Sequence, residues 1–314
     1  MTDPALPPRE ETPPQRGDEG GTRAAGTGGA PASPDEPDES PGFAGEMGRL
    51  FLIPAVIVAL SVLVFLLFGW IAGERRDAHD YLQEVRNGAT GRKWQAAFEL
   101  SRALTSDENA RRDPKLAEEI ASTLIDPRTE DPLIRRYLLL ALEEIDDPTT
   151  APQVRASLSD KDGEVRLFAI RALGRLKDRE AVPALVEILQ GDDPALRKMA
   201  LYSLGQIGDT GAIPAMQARL DDPVEDVRWN AALALAVLRD GSGAPVIRQM
   251  LDPAHLDGVE GITEAQKIDA RINAVQAAYL LGGDEMRALV ERVGREDASL
   301  KVRDVALRAI DEWK

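Results

Sequence analysis

The chain contains no cysteine and only two histidines among its 314 residues. Disulfide cross-links, thiol nucleophiles and zinc sites built on cysteine are therefore excluded, while the compartment is left open. Basic charge is also scarce: 38 Lys and Arg face 54 Asp and Glu, for a net charge of −16. A duplex-binding protein presents a cationic surplus to the phosphates, so nucleic acid is not an expected partner. Residues 1–49 hold almost no large apolar side chains, but nine Pro, nine Gly, ten Asp or Glu and four Arg. Such a segment buries too little apolar surface to offset the entropy of ordering its backbone, and disorder is expected there. Its glycines, as in Gly26-Thr27-Gly28, stand too far from any strand or helix to form a nucleotide loop.

Residues 50–73 lack charge altogether. This 24-residue run, bounded by Arg49 and Glu74, would extend about 36 Å as a helix, against a hydrocarbon core of about 30 Å. Pro54 is expected near its first turn, and Phe51 and Trp70 lie near its two ends, where interfacial aromatics are common. A signal peptide would have to carry an acidic n-region of 49 residues and an overlong apolar stretch, and no small-x-small cleavage site is evident. A transmembrane helix over 50–73 is the expectation. Arg75, Arg76 and Arg86 on one flank against Arg49 alone on the other place the C-terminal part in the cytoplasm.

From Glu74 onward the dominant pattern is a 31-residue period. Pro152, Pro183, Pro214 and Pro245 keep that spacing, each followed at two and six positions by apolar residues, as in Val154 and Leu158. A second ladder runs Arg135, Arg166, Arg197, Arg228, with Leu138, Ala169, Ala200 and Ala231 three positions on and Leu142, Leu173, Leu204 and Leu235 seven positions on. Asp147, Asp178, Asp209 and Asp240 close the units. These are amphipathic-helix spacings, occurring twice per period with turn residues between, so each unit is a helical hairpin. A single hairpin cannot bury its own apolar face, and neighbours must stack. Weaker copies extend the array from Ala78 to Lys314, giving seven hairpins.

Within this array, Val165-Arg166-Leu167-Phe168-Ala169-Ile170-Arg171-Ala172-Leu173-Gly174 carries the motif Val-Arg-x-x-Ala-x-x-Ala-Leu-Gly. In it the chain resembles the HEAT repeat family, in particular the short bacterial form shared with phycobilin-lyase-type repeats. The resemblance covers about three quarters of the chain and implies an all-α fold. The expected architecture is a right-handed α-solenoid of about seven HEAT-like hairpins over 74–314. A disordered acidic tail over 1–49 and the transmembrane helix over 50–73 precede it.

The resemblance also suggests activities to look for. Deoxyhypusine hydroxylase-like members hold a di-iron centre on His-Glu pairs, whereas here His79 is followed by Asp80 and His255 by Leu256. Alkylpurine glycosylase-like members are basic on the concave face, contrary to the charge here. Neither catalytic residues nor a cofactor or metal site is expected. The arginine ladder is read as structural, each Arg bonding an Asp or a helix end of a neighbouring hairpin, with Asp160, Asp193, Asp222 and Asp226 in reach. Between Arg228 and Arg271 the spacing is 43 residues, twelve beyond the period. The extra segment, about Asp252 to Ile262, is a candidate binding loop or a tolerated insertion. Its Asp252, His255, Asp257 and Glu260 fit no calcium-loop spacing. Thr263 and Gln266 form a capping box that restarts the helix.

With Val165, Ala169 and Leu173 facing the core, Leu167 and Arg171 point away. The equivalent row contains Trp94, Phe98, Leu167, Tyr202, Trp229 and Leu233, and the resemblance places second helices on the concave surface. These six are the candidate protein-binding residues. The expected function is a membrane-tethered protein-binding scaffold or adaptor without catalysis of its own, its partner another membrane protein or complex. The alternative is a lyase-like or chromophore-handling enzyme.

Overall fold

The computed structural model describes residues 43–72 and 76–313, which divide into two units, one on either side of Gly73. In the first, α1 (Phe43–Ala72) is a single 30-residue helix. It begins seven residues before the expected boundary, so 43–49 is helical and not tail; the rest of the expected tail, 1–42, lies outside the described residues. Because the helix starts early, Pro54 falls in its interior and removes one backbone hydrogen bond. The side chains described within the apolar run are Leu52 and 54–67, all exposed. Among the described residues no helix is long and apolar enough to cross a membrane.

The second unit is an α-solenoid, with no strand among its described residues. Seven hairpins follow in order. The first pairs α2 (Ala78–Asn87) with α3 (Thr90–Ser106); a single turn, α4 (Glu108–Arg111), leads to α5 (Pro114–Leu124) and α6 (Pro132–Ile145). Next come α7 (Ala151–Ala156) with α8 (Gly163–Arg175), α9 (Val182–Ile188) with α10 (Pro194–Ile207), and α11 (Ile213–Gln217) with α12 (Glu225–Val237). The sixth is α13 (Ala244–Leu251) with α15 (Glu264–Leu281), interrupted by α14 (Pro253–Asp257), and the seventh α16 (Asp284–Glu296) with α17 (Leu300–Asp311).

The recurring aspartates explain where the helices start. Asp147, Asp178, Asp209 and Asp240 each accept a hydrogen bond from the backbone N–H two residues on, opening a 3-10 turn that leads into the first helix. The recurrent proline then occupies the first turn of α7, α9, α11 and α13, where its missing N–H leaves nothing unpaired. Asp131 and Asp193 cap the second helices α6 and α10 in the same way, and Asp162 caps α8 by accepting from the Val165 N–H three residues on. Thr263 and Gln266 form the expected capping box at α15.

Two apolar clusters make up the core, and α12 belongs to both: Val227, Ala231 and Leu235 face the earlier hairpins, Trp229, Ala232 and Ala236 the later ones. Between hairpins the second helices pack closely, and Gly174 on α8 marks the tightest approach. A Cβ there would lie 2.7 Å from Ser203 Oγ and 2.9 Å from Ser203 Cα on α10, which leaves it no room. Gly174→Ala must push the two helices apart and is expected to cost about 1–3 kcal/mol, measured as a drop in the urea midpoint.

Candidate protein-binding surface

The arginine ladder fixes how consecutive hairpins meet. Arg135, Arg166, Arg197 and Arg228 each donate to a carbonyl six residues back, on Thr129, Asp160, Gly191 and Asp222, at 3.3, 2.8, 3.0 and 2.7 Å. Every arginine thus ties the loop of its own hairpin to its second helix. A reach into the next hairpin is made only where an aspartate stands ready: Arg135 to Asp160 at 3.1 Å, Arg197 to Asp222 at 2.9 Å and Arg271 to Asp297 at 3.2 Å. In the hairpin after Arg166 the matching position is Gly191, so that rung is missing. Asp193 does not pair with the ladder; it caps α10, accepting from the N–H groups of Ala195 and Leu196.

This packing decides which part of the expected row is free. Each second helix between α3 and α17 is flanked by the second helices before and after it, and only a narrow strip remains. The position one beyond the ladder arginine turns toward the next hairpin. There Arg136 pairs with Asp162 at 2.9 Å and Lys198 with Asp226 at 3.3 Å. Hydrogen bonds from the Val165 N–H and from Arg136 hold the Asp162 carboxyl below the usual carboxylate range. Leu167 at the same position is half-buried against the core. Trp229, expected on the surface, is only 6% exposed.

The burial of Trp229 traces to the insertion. Its segment 252–262 is no free loop: α14 forms within it, Leu256 is fully buried, and Leu256 shares an apolar cluster with Trp229. His255 Nε2 approaches Glu225 Oε1 at 3.5 Å, and Glu225 lies one turn before Trp229 on the same face of α12. The insertion therefore packs over the face that carries the indole. Its polar residues are spent on the same job: Asp252 caps α14, and Asp257 accepts from Lys267 at 2.6 Å, which lowers its pKa. Among the described residues no group of three or more His, Asp or Glu side chains is placed to hold a metal ion.

The exposed strip runs through positions two, five and nine beyond the ladder arginine. Phe98, 39% exposed, and Tyr202, 48% exposed, stand on it as expected, and Leu233 is half-buried there. Trp94, 37% exposed, sits at its edge in the first hairpin. Phe98 also meets Tyr137 edge-on at 5.4 Å, so its ring is partly engaged. Six candidates therefore do not form one surface: Tyr202 and Leu233 come together, Trp94 and Phe98 lie in the first hairpin, and Leu167 and Trp229 are withdrawn.

Around Tyr202 and Leu233 the strip deepens into a groove of about 320 Å³ across α10, α12 and α15. Gly205, Ala234 and Ala277 line it with small side chains. A Cβ on Gly205 would lie 3.3 Å from Ala234 Cα, so α10 and α12 are in close contact there. Val237 and Leu280 add apolar surface, and Gln206, Asn230, Asn273 and Gln276 bring four amides. None of those amides was singled out in the sequence. The signal available was that Asn230 and Asn273 both stand two residues beyond a ladder arginine, Arg228 and Arg271.

With this geometry in view, comparison with known proteins gives one family match. Residues 117–202, 154–236 and 182–265 match a model described as HEAT repeats. The matched stretch, 117–265, runs from the second hairpin to the first residues of α15. The solenoid is similar in fold to the complex of CpcE and CpcF of phycocyanin lyase from Nostoc sp. PCC7120, with TM-score 0.54 and 21% identity over 76% of this chain and 88% of that one. A designed armadillo repeat protein aligns with TM-score 0.41 and 16% identity over 74% and 97% of the two chains. Human deoxyhypusine hydroxylase in complex with glycerol aligns with TM-score 0.33 and 18% identity over 73% and 83%. No curated protein sequence matches the chain.

Proposed function

We infer that this chain is a membrane-tethered protein-binding scaffold with no catalysis of its own, engaging a partner through the free strip of its HEAT-like second helices. The observation that carries this reading is the groove around Tyr202 and Leu233, an exposed apolar surface with polar groups at fixed positions on rigid helices. Against an active site there, its lining residues include no carboxylate, imidazole, lysine or arginine. The two histidines stand far apart in sequence, each beside a single carboxylate: His79 by Asp113 at 3.3 Å and His255 by Glu225 at 3.5 Å.

The tether is the uncharged run 50–73. Its described side chains from Leu52 to Leu67 are exposed apolar groups on α1, and Ser61, the polar exception, returns its hydroxyl to the Ile57 carbonyl at 2.8 Å. A helix of this kind needs an apolar surrounding, which a bilayer supplies. The arginine asymmetry of its flanks puts the solenoid in the cytoplasm, and an integral membrane protein is the partner such a tether favours.

A photocrosslinking residue in place of Tyr202, activated in intact membranes, is expected to yield a discrete adduct with a protein that resists carbonate extraction. Val237, 51% exposed on the same strip, provides the control: Val237→Glu adds a charge without touching the core and should abolish the adduct. No adduct, or one indifferent to Val237→Glu, overturns the scaffold reading.

A further inference from the structure

Charge is distributed unevenly along the free strip. At positions five and nine beyond the ladder, the first three hairpins hold Phe98, Arg102, Leu140, Glu144, Arg171 and Arg175, at least one charge in each, and the last presents Arg308 and Glu312. On α10, α12 and α15 the same positions hold Tyr202, Gln206, Leu233, Val237, Gln276 and Leu280. The charge-free section coincides with the groove, in a chain of which 29% is charged. A strongly charged ligand segment would find no counter-ion there and would lose its hydration.

The amides in this section have spare valence. Asn230 Nδ2 donates to the Asp226 carbonyl at 2.8 Å and Gln206 Nε2 to the Tyr202 hydroxyl at 2.5 Å, leaving the oxygen of each amide without a donor among the described residues. Asn273 and Gln276 have no hydrogen-bond partner among the described residues and are both exposed. They lie three residues apart, neighbours on one face of α15. A primary amide offers one acceptor and two donors, the complement of a peptide group.

We propose that the groove binds an extended, uncharged stretch of a partner polypeptide, its backbone N–H and C=O groups pairing with Gln206, Asn230, Asn273 and Gln276. A helical ligand is disfavoured because its backbone groups are already paired internally, whereas an extended chain leaves them free. Three helices at about 8–10 Å spacing span about 16–20 Å, the length of five or six extended residues at about 3.3 Å each. Alternate side chains of such a stretch face the groove, where Leu233, Val237 and Leu280 select small or apolar groups. This deepens the scaffold reading and rests on it.

The test uses the full chain in lipid nanodiscs and a phage-displayed library of random dodecapeptides. Enriched peptides are expected to share a central run of five or six residues without charge. A synthetic copy should bind Asn273→Ala/Gln276→Ala about tenfold more weakly than wild type, the effect of losing two hydrogen bonds. N-methylation of alternate peptide nitrogens should weaken binding in one register and spare it in the other. Thermal unfolding of the double variant should match wild type, because both amides are exposed. No enrichment, a charged or helix-patterned consensus, or indifference to both the amide variant and N-methylation overturns the proposal. Enrichment of sequences matching residues 1–42, or binding explained by self-association of the chain, overturns it also. If Tyr202 still crosslinks to a membrane protein while the library yields nothing, the scaffold stands and the extended-peptide inference falls.

Discussion

Replacing Asp222 by alanine is expected to lower folding stability by about 3–5 kcal/mol, because it strands a buried cation. Arg197 and Asp222 face each other with side chains 8% and 1% exposed. Two parallel bonds join them, Nε to Oδ2 at 3.0 Å and Nη2 to Oδ1 at 2.9 Å, and the remaining guanidinium nitrogen is held by the carbonyls of Gly191 and Asp192. Asp222 also accepts from the Val224 N–H at 3.0 Å, fixing the turn that precedes α12. Removing the carboxylate therefore breaks a contact between hairpins and a turn within one. The comparison variant is Asp226→Ala, which loses only the half-exposed pair with Lys198 and should cost about 0.2–1 kcal/mol. Urea unfolding at neutral pH separates the two.

The same pair gives the loss a pH signature. Burial alone raises the Asp222 pKa, but the bonds from Arg197 and the Val224 N–H, with the charges of Arg197 and Arg219, outweigh it and leave a net lowering. A carboxyl whose folded pKa lies below its unfolded value, about 3.9, contributes stability above that value and loses it as pH falls through the folded pKa. The gap between wild type and Asp222→Ala should be full at pH 7 and persist to about pH 4. It should close only below the usual carboxylate range. A gap that vanished between pH 7 and 5 would point to a histidine and refute the assignment.

The repeat was legible because its signals are local and recur. Proline in the first turn, aspartate at the cap and the arginine's bond to the carbonyl six residues back each act within one hairpin, so periodic spacing alone exposes them. All seven hairpins appear where that spacing puts them. The binding surface was only half legible, because exposure on a second helix depends on its neighbours. At about 100° per residue, the position one beyond the arginine lies roughly half a turn from the core face, which suffices for exposure on an isolated helix. In the array that flank is claimed by the next hairpin, as Arg136 with Asp162 shows. The free strip therefore shifts to positions two, five and nine, keeping Tyr202 and Leu233 and admitting the amides. The helical fold of the insertion was hidden for a different reason: it has no counterpart in the other hairpins, and its single buried anchor, Leu256, carries no periodicity.

Trp229 separates these two views of the surface, and its substitutions carry the second large effect. As an exposed binding anchor it would tolerate truncation in the free protein; as a buried side chain it would not. Trp229→Ala is expected to cost about 3–5 kcal/mol of stability, since the indole joins α12, α14 and α15 residues in one apolar cluster. The damage should reach the insertion, so that His255 loses its place against Glu225 and hydrogen exchange accelerates over 252–262. Trp229→Phe should be far milder, at under about 1.5 kcal/mol. The indole Nε1 is buried without a hydrogen-bond partner among the described residues, so the substitution sacrifices volume but no bond. Tyr202→Ala should leave stability near wild type, because that ring is already about half in water. Should Trp229→Ala instead melt like wild type while partner crosslinking from position 202 disappears, the indole belongs to the binding surface and the insertion does not cover it.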